Sequence, residues 1–433
     1  MTKPLTPPAM LLGTLVLSCI GAAWAQPETA PTLVIRSGRL IDTARGAVRE
    51  GQWIVISGDR IAAVHASGEF QPPAGAEVID LSGWTVLPGL IDTHTHLMYD
   101  PTLPPYHSYG ISIPRYALTG AANARRTLLS GVTTVRDVGS PGFTDVALRD
   151  AIAAGDVDGP RVRASGPALG ITGGHCDDNL LAQEYHEVGE GVADGPEGVR
   201  KAVRRNVKYG VNHIKYCGTG GVFSKGTIPG AQQYTEAEVA ALIDEAHMHG
   251  RKVAVHAHGA SGIKVALRNG VDTVEHASLI DDEGIALAKK TGTYLSMDIY
   301  NTEYTQAEGR TRGELEEFMQ KDRDLAQVQR DNFRKAVAAG VKMTMGTDSG
   351  VFPHQDAPKQ LAFMVRYGMT PLQALQAATV NGADAIGLAG QIGTIAAGAY
   401  ADTIAVQGDP LADVSLLEHV GFVMKGGKVY KRP

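Results

Sequence analysis

Apolar residues recur at every second position near the start of the chain, and 32–36, 53–56 and 60–64 read as short strands separated by glycine-containing turns. The same alternation returns at the other end, over 402–406, 421–424 and 428–430. This pairing predicts a small β-sandwich made from both chain ends, residues 26–85 and 391–433. Between them the rhythm changes. Apolar runs at 86–91, 132–138, 161–164, 213–216, 252–255, 273–274, 293–297 and 342–345 alternate with longer stretches of helical periodicity, such as 236–249 and 325–339. Gly250 and Gly340 follow two of those stretches, where a helix turns into left-handed backbone. Eight strand–helix units over residues 86–390 predict an α/β fold, a (β/α)8 TIM barrel. An open doubly wound sheet is the alternative, but the glycine-rich nucleotide fingerprint after the first strand is missing.

The first 25 residues follow neither pattern. Lys3 precedes an apolar run over 10–20, and Ala23-Trp24-Ala25 has the small-x-small form that a signal peptidase cuts. Residues 1–25 are therefore expected to be a signal peptide, cut before Gln26, and the protein to be periplasmic or secreted with no membrane attachment afterwards. Lipidation at Cys19 is the alternative, although the apolar run continues past it. Cleavage would leave two cysteines, Cys176 and Cys217, which an oxidising compartment could pair. The whole chain of 433 residues is 43% hydrophobic and 20% charged, enough for one large barrel with a smaller unit. Its net charge of −6, with no block of Lys and Arg, argues against a nucleic-acid partner.

In a barrel of parallel strands, chemistry gathers where strands end and the following loops begin. The first strand runs into Asp92-Thr93-His94-Thr95-His96, where residues two apart share one side of a strand, so His94 and His96 can reach one ion together. Lys215 lies in the fourth strand, and the fifth, sixth and eighth run into His256-Ala257-His258, Glu275-His276 and Gly346-Thr347-Asp348. A lone strand-end histidine is more often a structural hydrogen-bonder. Five metal-capable side chains at four strand ends are hard to reach by packing alone. Lys215 as ammonium has no lone pair to give a cation. Burial in the strand would make the neutral amine accessible. That amine can add carbon dioxide and become a carbamate, an anionic oxygen ligand able to bridge two ions.

The run Pro88-Gly89-Leu90-Ile91-Asp92-Thr93-His94-Thr95-His96, with Lys215, His256, His276 and Gly346-Thr347-Asp348, resembles the amidohydrolase superfamily over essentially everything from Leu33 onward. Thr172-Gly173-Gly174-His175 and Thr347-Asp348-Ser349-Gly350 are similar to its branch of Xaa-Pro and other C-terminal dipeptidases and of enzymes that split ochratoxin A. The resemblance implies two divalent ions, with zinc suited to the donors. His94 and His96 would hold the first, His256 and His276 the second, and N-carboxylated Lys215 would bridge them. Asp348 would touch the first ion and take the proton of the attacking water. His175 and Tyr234 would contact substrate, with His258 either facing substrate or behind the ligands. For Tyr234 the plainer reading is an aromatic at a helix entry capped by Thr235. The implied reaction is cleavage of the amide bond to a C-terminal amino acid, hydrophobic or aromatic, in a small-molecule amide or dipeptide. Xaa-Pro or Xaa-Arg/Lys dipeptides and lactones or cyclic amides are the alternatives, and relatives suggest a homo-oligomer. A mononuclear deaminase would carry Glu three residues after His256, where Gly259 stands. A non-catalytic binding protein on the same barrel would be betrayed by a missing ligand, and none is missing.

Overall fold

The structure, a computed structural model, describes residues 33–433 and Met1. Apart from Met1, the expected signal segment with Cys19, and the stretch up to residue 32, lie outside the described residues.

The alternating N-terminal segments form β1 (Leu33–Asp42), β2 (Ala47–Ser57), β3 (Arg60–Ala66) and β4 (Glu77–Pro88). The central parallel strands are β5 (Leu90–Thr95), β6 (Val132–Asp137), β7 (Arg161–Arg163), β8 (His213–Cys217), β9 (Lys252–Gly259), β10 (Thr273–Leu279), β11 (Tyr294–Ser296) and β12 (Met343–Thr344). The chain closes with β13 (Thr403–Val406), β14 (Phe422–Lys425) and β15 (Lys428–Lys431).

Both chain ends do meet, in one mixed seven-stranded sheet of order β15-β14-β13-β4-β1-β2-β3 rather than two facing sheets. Apolar residues from both of its ends, among them Ile54, Ile61, Leu81, Phe422 and Met424, gather in one core, so the sheet curls over its own apolar face. The central strands lie in two parallel sheets, β5-β6-β7 and β12-β11-β10-β9-β8. Backbone bonds cross both gaps. Asn212 N–H donates to Ala164 O at 2.7 Å between β7 and β8, and Thr93 N–H donates to Met345 O at 2.9 Å between β12 and β5.

The run at 86–91, read as one strand, is split. Residues up to Pro88 belong to the seven-stranded sheet, and β5 starts at Leu90. Gly89 sits at the crossing because any Cβ there would lie 2.1 Å from Thr133 Oγ1, and Pro88 has no N–H to continue a ladder. The helix expected from residue 325 begins nine residues earlier, as Glu316–Ala339, and ends on Gly340 at φ 72°. Helix Glu236–Met248 starts on the Thr235 cap, whose side chain accepts from Glu238 N–H while the Glu238 carboxylate accepts from Thr235 N–H. No helix among the described residues is long and apolar enough to cross a membrane.

Candidate functional site

The polar residues at the ends of β5, β8, β9, β10 and β12 converge on one cavity of about 530 Å³. His94 and His96 each place Nε2 3.3 Å from the same Asp348 oxygen, Oδ1. His94 presents that nitrogen because its Nδ1 lies 3.1 Å from Glu275 Oε2. Glu275 is in turn held by Arg136 Nη2 at 2.6 Å and Thr273 Oγ1 at 2.5 Å. His96 Nδ1 lies 3.3 Å from Gly139 O. Carboxylates and carbonyls behind imidazoles fix the ring and the tautomer, as they do behind metal ligands.

A second set forms across the cavity. Ligand atoms of His256, His258 and His276 fall within 4.8 Å of one another, as do those of His94, His96 and Asp348, and those of His276, Asp298 and Asp348. Two donors about 2.1 Å from one zinc ion are separated by roughly 4.2 Å at most, so these sets need little movement to close on a cation. His276 and Asp348 each belong to two sets, which makes the groups one continuous centre. The nitrogen and carboxylate donors suit a borderline or hard divalent ion.

The backbone is distorted at the same places. His276, Ala277 and Asp348 have φ of 69°, 48° and 60°, in the left-handed region that side-chain-bearing residues avoid. Such conformations cost roughly 1–3 kcal/mol each and persist where surrounding structure dictates them. The β9–β10 register also shifts after His276, which turns that ring off the strand face and into the cavity.

Lys215 is buried at 3% exposure on β8 and lines the cavity with these ligands. Burial brings its ammonium down to about 8, although Glu275 and Asp348 pull it upward. Burial also opposes ionisation of Asp348, but the charges and hydrogen bonds of His94 and His96 hold it well below the usual carboxylate range. His175 lines the cavity too, its ring stacked on His256 with centroids 4.0 Å apart and its Nδ1 2.8 Å from Ser224 Oγ. Burial, then the neighbouring His276 and Lys215, lowers it to about 3, so it is neutral at ordinary pH. A disulfide joins the next residue, Cys176, to Cys217 at the end of β8.

Of the residues expected to contact substrate, His175 and His258 line the cavity and Tyr234 does not. Tyr234 is in the hydrophobic core, its ring against Tyr216 and its hydroxyl donating to Ala193 O at 3.0 Å. The Thr235 cap fixes the chain direction there and turns the ring inward. His258 joins a candidate ligand set and anchors its Nδ1 on Ser278 Oγ at 2.8 Å. Asp298 is a site residue that the sequence pattern did not single out. It holds His276 Nδ1 at 2.8 Å and completes a donor set, and it follows β11 as the other site residues follow their strands. Glu275 and Arg136 are hidden in the sequence for another reason: they act through His94.

Comparison with known proteins agrees with this geometry. The amidohydrolase family model matches residues 85–430. Ochratoxinase of Aspergillus niger is 34% identical over 375 residues, covering 80% of this chain and 76% of the relative. A crystal structure of an Xaa-Pro dipeptidase with bound methionine in its active site superposes with a TM-score of 0.86 at 36% identity, over 92% of this chain and 99% of that one. The crystal structure of A. niger ochratoxinase gives 0.81 at 29% identity, over 93% and 96%. These neighbours carry the TIM-barrel type of α/β fold, which accounts for the parallel strands with a separate sheet. The strand-end ligand sets, the buried lysine and the matching chain length lead to one statement: this chain belongs to the amidohydrolase family, in the branch of Xaa-Pro dipeptidases and ochratoxinases, and is a hydrolase of amide bonds.

Proposed function

We propose that the chain is a two-metal amidase that releases a C-terminal hydrophobic or aromatic amino acid from ochratoxin A-like amides, N-acyl amino acids or dipeptides. The observation that carries this reading is the pair of ligand sets, His94–His96–Asp348 and His256–His258–His276, facing one cavity around buried Lys215. Phe223, Phe318 and Leu325 give that cavity an apolar wall that suits a large side chain. In this reading the eight parallel strands close into a single barrel of residues 86–390, which the bonds across both gaps support.

His94 and His96 would hold one ion, His256 and His276 the other, with Lys215 as carbamate between them. Zinc is the ion the donors favour. Bound there, the two cations would polarise the scissile carbonyl and bring the pKa of the attacking water from about 15.7 towards neutrality. Loss of a proton from the Lys215 ammonium, addition of carbon dioxide to the free amine and loss of a second proton from that nitrogen would convert a cation into an anionic carbamate ligand. The lowered ammonium pKa favours that step. Asp348 accepts the proton of the attacking water and returns it to the leaving amine. His175 stays neutral. When its Nδ1 accepts from Ser224, Nε2–H is the donor left for the developing oxyanion. His258 borders the same space and completes the second donor set. Export to an oxidising compartment belongs to this reading, supported by the Cys176–Cys217 bond, as does assembly of identical chains.

The second reading is an Xaa-Pro dipeptidase, favoured by the close superposition on the Xaa-Pro dipeptidase structure and on a prolidase complexed with N-methylphosphonate-L-proline, the latter with a TM-score of 0.85. One experiment separates the two. Amino acid release by metal-loaded protein is measured over N-acyl amino acids, Xaa-Pro, Xaa-Phe and Xaa-Arg dipeptides and ochratoxin A, with chelated protein and Asp348→Asn as controls. Release from aromatic substrates that chelator and mutation abolish is expected. Release from Xaa-Pro alone selects the second reading. Silence across the panel with two ions bound points to lactones or cyclic amides, and silence with no ion bound overturns the two-metal amidase.

A further inference from the structure

A second cavity, of about 250 Å³, shares no residue with the first. All of β7 lines it, as does Asn212 just before β8, whereas Pro167 and Ala168 beyond β7 and Cys217 at the end of β8 line the first. It therefore sits at the opposite ends of the strands from the ligand sets. Helix Thr144–Ala154 adds Arg149, and the chain-end sheet adds Lys425, the last residue of β14. Four cations, Arg149, Arg161, Arg163 and Lys425, thus border a space that no Asp or Glu lines, in a chain whose net charge is −6.

Three of the four are tied back to the protein. Arg149 donates from Nε to Asp150 Oδ1 at 2.8 Å and from Nη1 to Gly210 O at 2.7 Å. Arg161 lies over the Tyr400 ring, 3.7 Å from its centroid, with Nη2 3.5 Å from Asp402 Oδ2. Lys425 Nζ donates to Gly159 O at 2.6 Å. Arg163 has no such tie. It is half-buried, its side chain donates no hydrogen bond and meets no carboxylate among the described residues, and none of its nitrogens is closed to water. Burial, then the charges of Arg149 and Arg251, hold it below the usual arginine value, and burial, then Arg161, brings Lys425 down to about 8.

A partly desolvated cation repelled by its neighbours is costly until a counter-charge meets it, and open donors facing a cavity call for an acceptor. The guanidinium fork matches two oxygens of a phosphate at once. Ile152, Leu388 and Tyr400 give the cavity an apolar side as well. Its volume falls short of the roughly 300–1,000 Å³ of sites for drug-sized ligands, so the occupant is small.

We propose that this second cavity binds a phosphate group, with the free guanidinium of Arg163 as principal donor and Arg149, Arg161 and Lys425 as the surrounding charge, so that the anion ties the parallel strands to the chain-end sheet. Free phosphate and a small phosphomonoester share this chemistry.

The test uses the full, metal-loaded chain at fixed ionic strength, with chloride replaced stepwise by phosphate while Tm and equilibrium binding are read. Phosphate is expected to raise Tm where chloride does not. Arg163→Gln should raise the phosphate Kd roughly 10- to 100-fold, as loss of hydrogen bonds to a charged group does, and remove the gain in Tm. In chloride alone this variant should melt no lower than the unmutated protein, because it loses a repelled cation and no bond. Arg163→Lys, which keeps the charge without the fork, should retain part of the binding. Phenyl phosphate binding tighter than inorganic phosphate would assign the apolar side to a phosphomonoester, and weaker or equal binding would assign the site to the free ion. Phosphate that stabilises no more than chloride would overturn the proposal. So would binding that Arg163→Gln leaves intact and chelator removes, since it would belong to the ligand sets of the first cavity. A lower Tm for Arg163→Gln in chloride, with an unchanged response to phosphate, would make Arg163 a structural residue and overturn it too.

Discussion

His175 owes its position to a residue with no side chain. A Cβ on Gly221 would meet the His175 ring at 2.3 Å, with His256 stacked on the ring at 4.0 Å. Gly221→Ala must therefore push the ring along or out of the cavity. We expect kcat/KM to fall about 100-fold, the effect of displacing a catalytic group by about 1 Å, with bound metal retained. Kinetics and metal content measured on the same preparation check this, and loss of metal would show that the ring buttresses His256 instead. At this scale the candidate ligands were legible because they occupy a repeated position, the first polar residues after an apolar strand. Asp298 obeys that rule and was legible in principle. Tyr234 was not, because the direction of its ring depends on the Thr235 cap and on Tyr216, which come from tertiary structure. Arg136 and Glu275 lie inside strands, where nothing local distinguishes a buried ion pair from an edge charge.

At the scale of elements, helices Gly195–Lys208 and Glu236–Met248 are fastened by one carboxylate. Glu245 receives Arg204 Nε at 2.6 Å and Arg200 Nη1 at 3.0 Å, and lies 3.1 Å from His249 Nε2. Arg204 above all lowers its carboxyl from 4.5 to about 2. A carboxyl whose folded pKa is depressed stabilises the fold above its unfolded pKa, and that stabilisation drains away as pH falls through the folded value. Glu245→Gln should thus lower Tm at pH 7, and the gap from the unmutated protein should narrow between pH 4.5 and about 2. A gap independent of pH would mean that packing, not charge, joins the helices. Most strands were legible as apolar runs, but their ends were not. Residues 86–91 carry an unbroken apolar pattern across two sheets, and the break at Gly89 is dictated by Thr133, 44 positions further on.

For the whole molecule, β13 and β14 explain why the chain ends matter. Ile404, Val406 and Val423 pack into the core of the parallel strands, whereas Ala405, Phe422 and Met424 pack into the core of the seven-stranded sheet. Alternate residues of the same strands serve two cores, so the described residues from Leu33 onward form one compact unit. Trp53 and Trp84 are the only tryptophans after Trp24 and both lie in the seven-stranded sheet, while the α-helices of the described residues lie between 113 and 385. Tryptophan fluorescence and helical circular dichroism therefore watch different halves. We expect their melting curves to coincide, and Ile404→Ala to shift both together by about 2–5 kcal/mol of stability. Two separated transitions would contradict this.

The Cys176–Cys217 bond has a bearing on how the enzyme matures. Before it forms, two thiols stand on the wall of a histidine-lined cavity. Thiolates are softer donors than imidazole or carboxylate and draw copper(I) and zinc away from sites of mixed nitrogen and oxygen. In the two-metal reading proposed above, oxidation would withdraw that competing donor pair, so the order of events would matter: a chain closed first and metallated second would meet its ions with only the proposed ligands on offer. On the same reading, a chain that met metal while still reduced would be open to mis-metallation, and its history as well as its sequence would then set its activity.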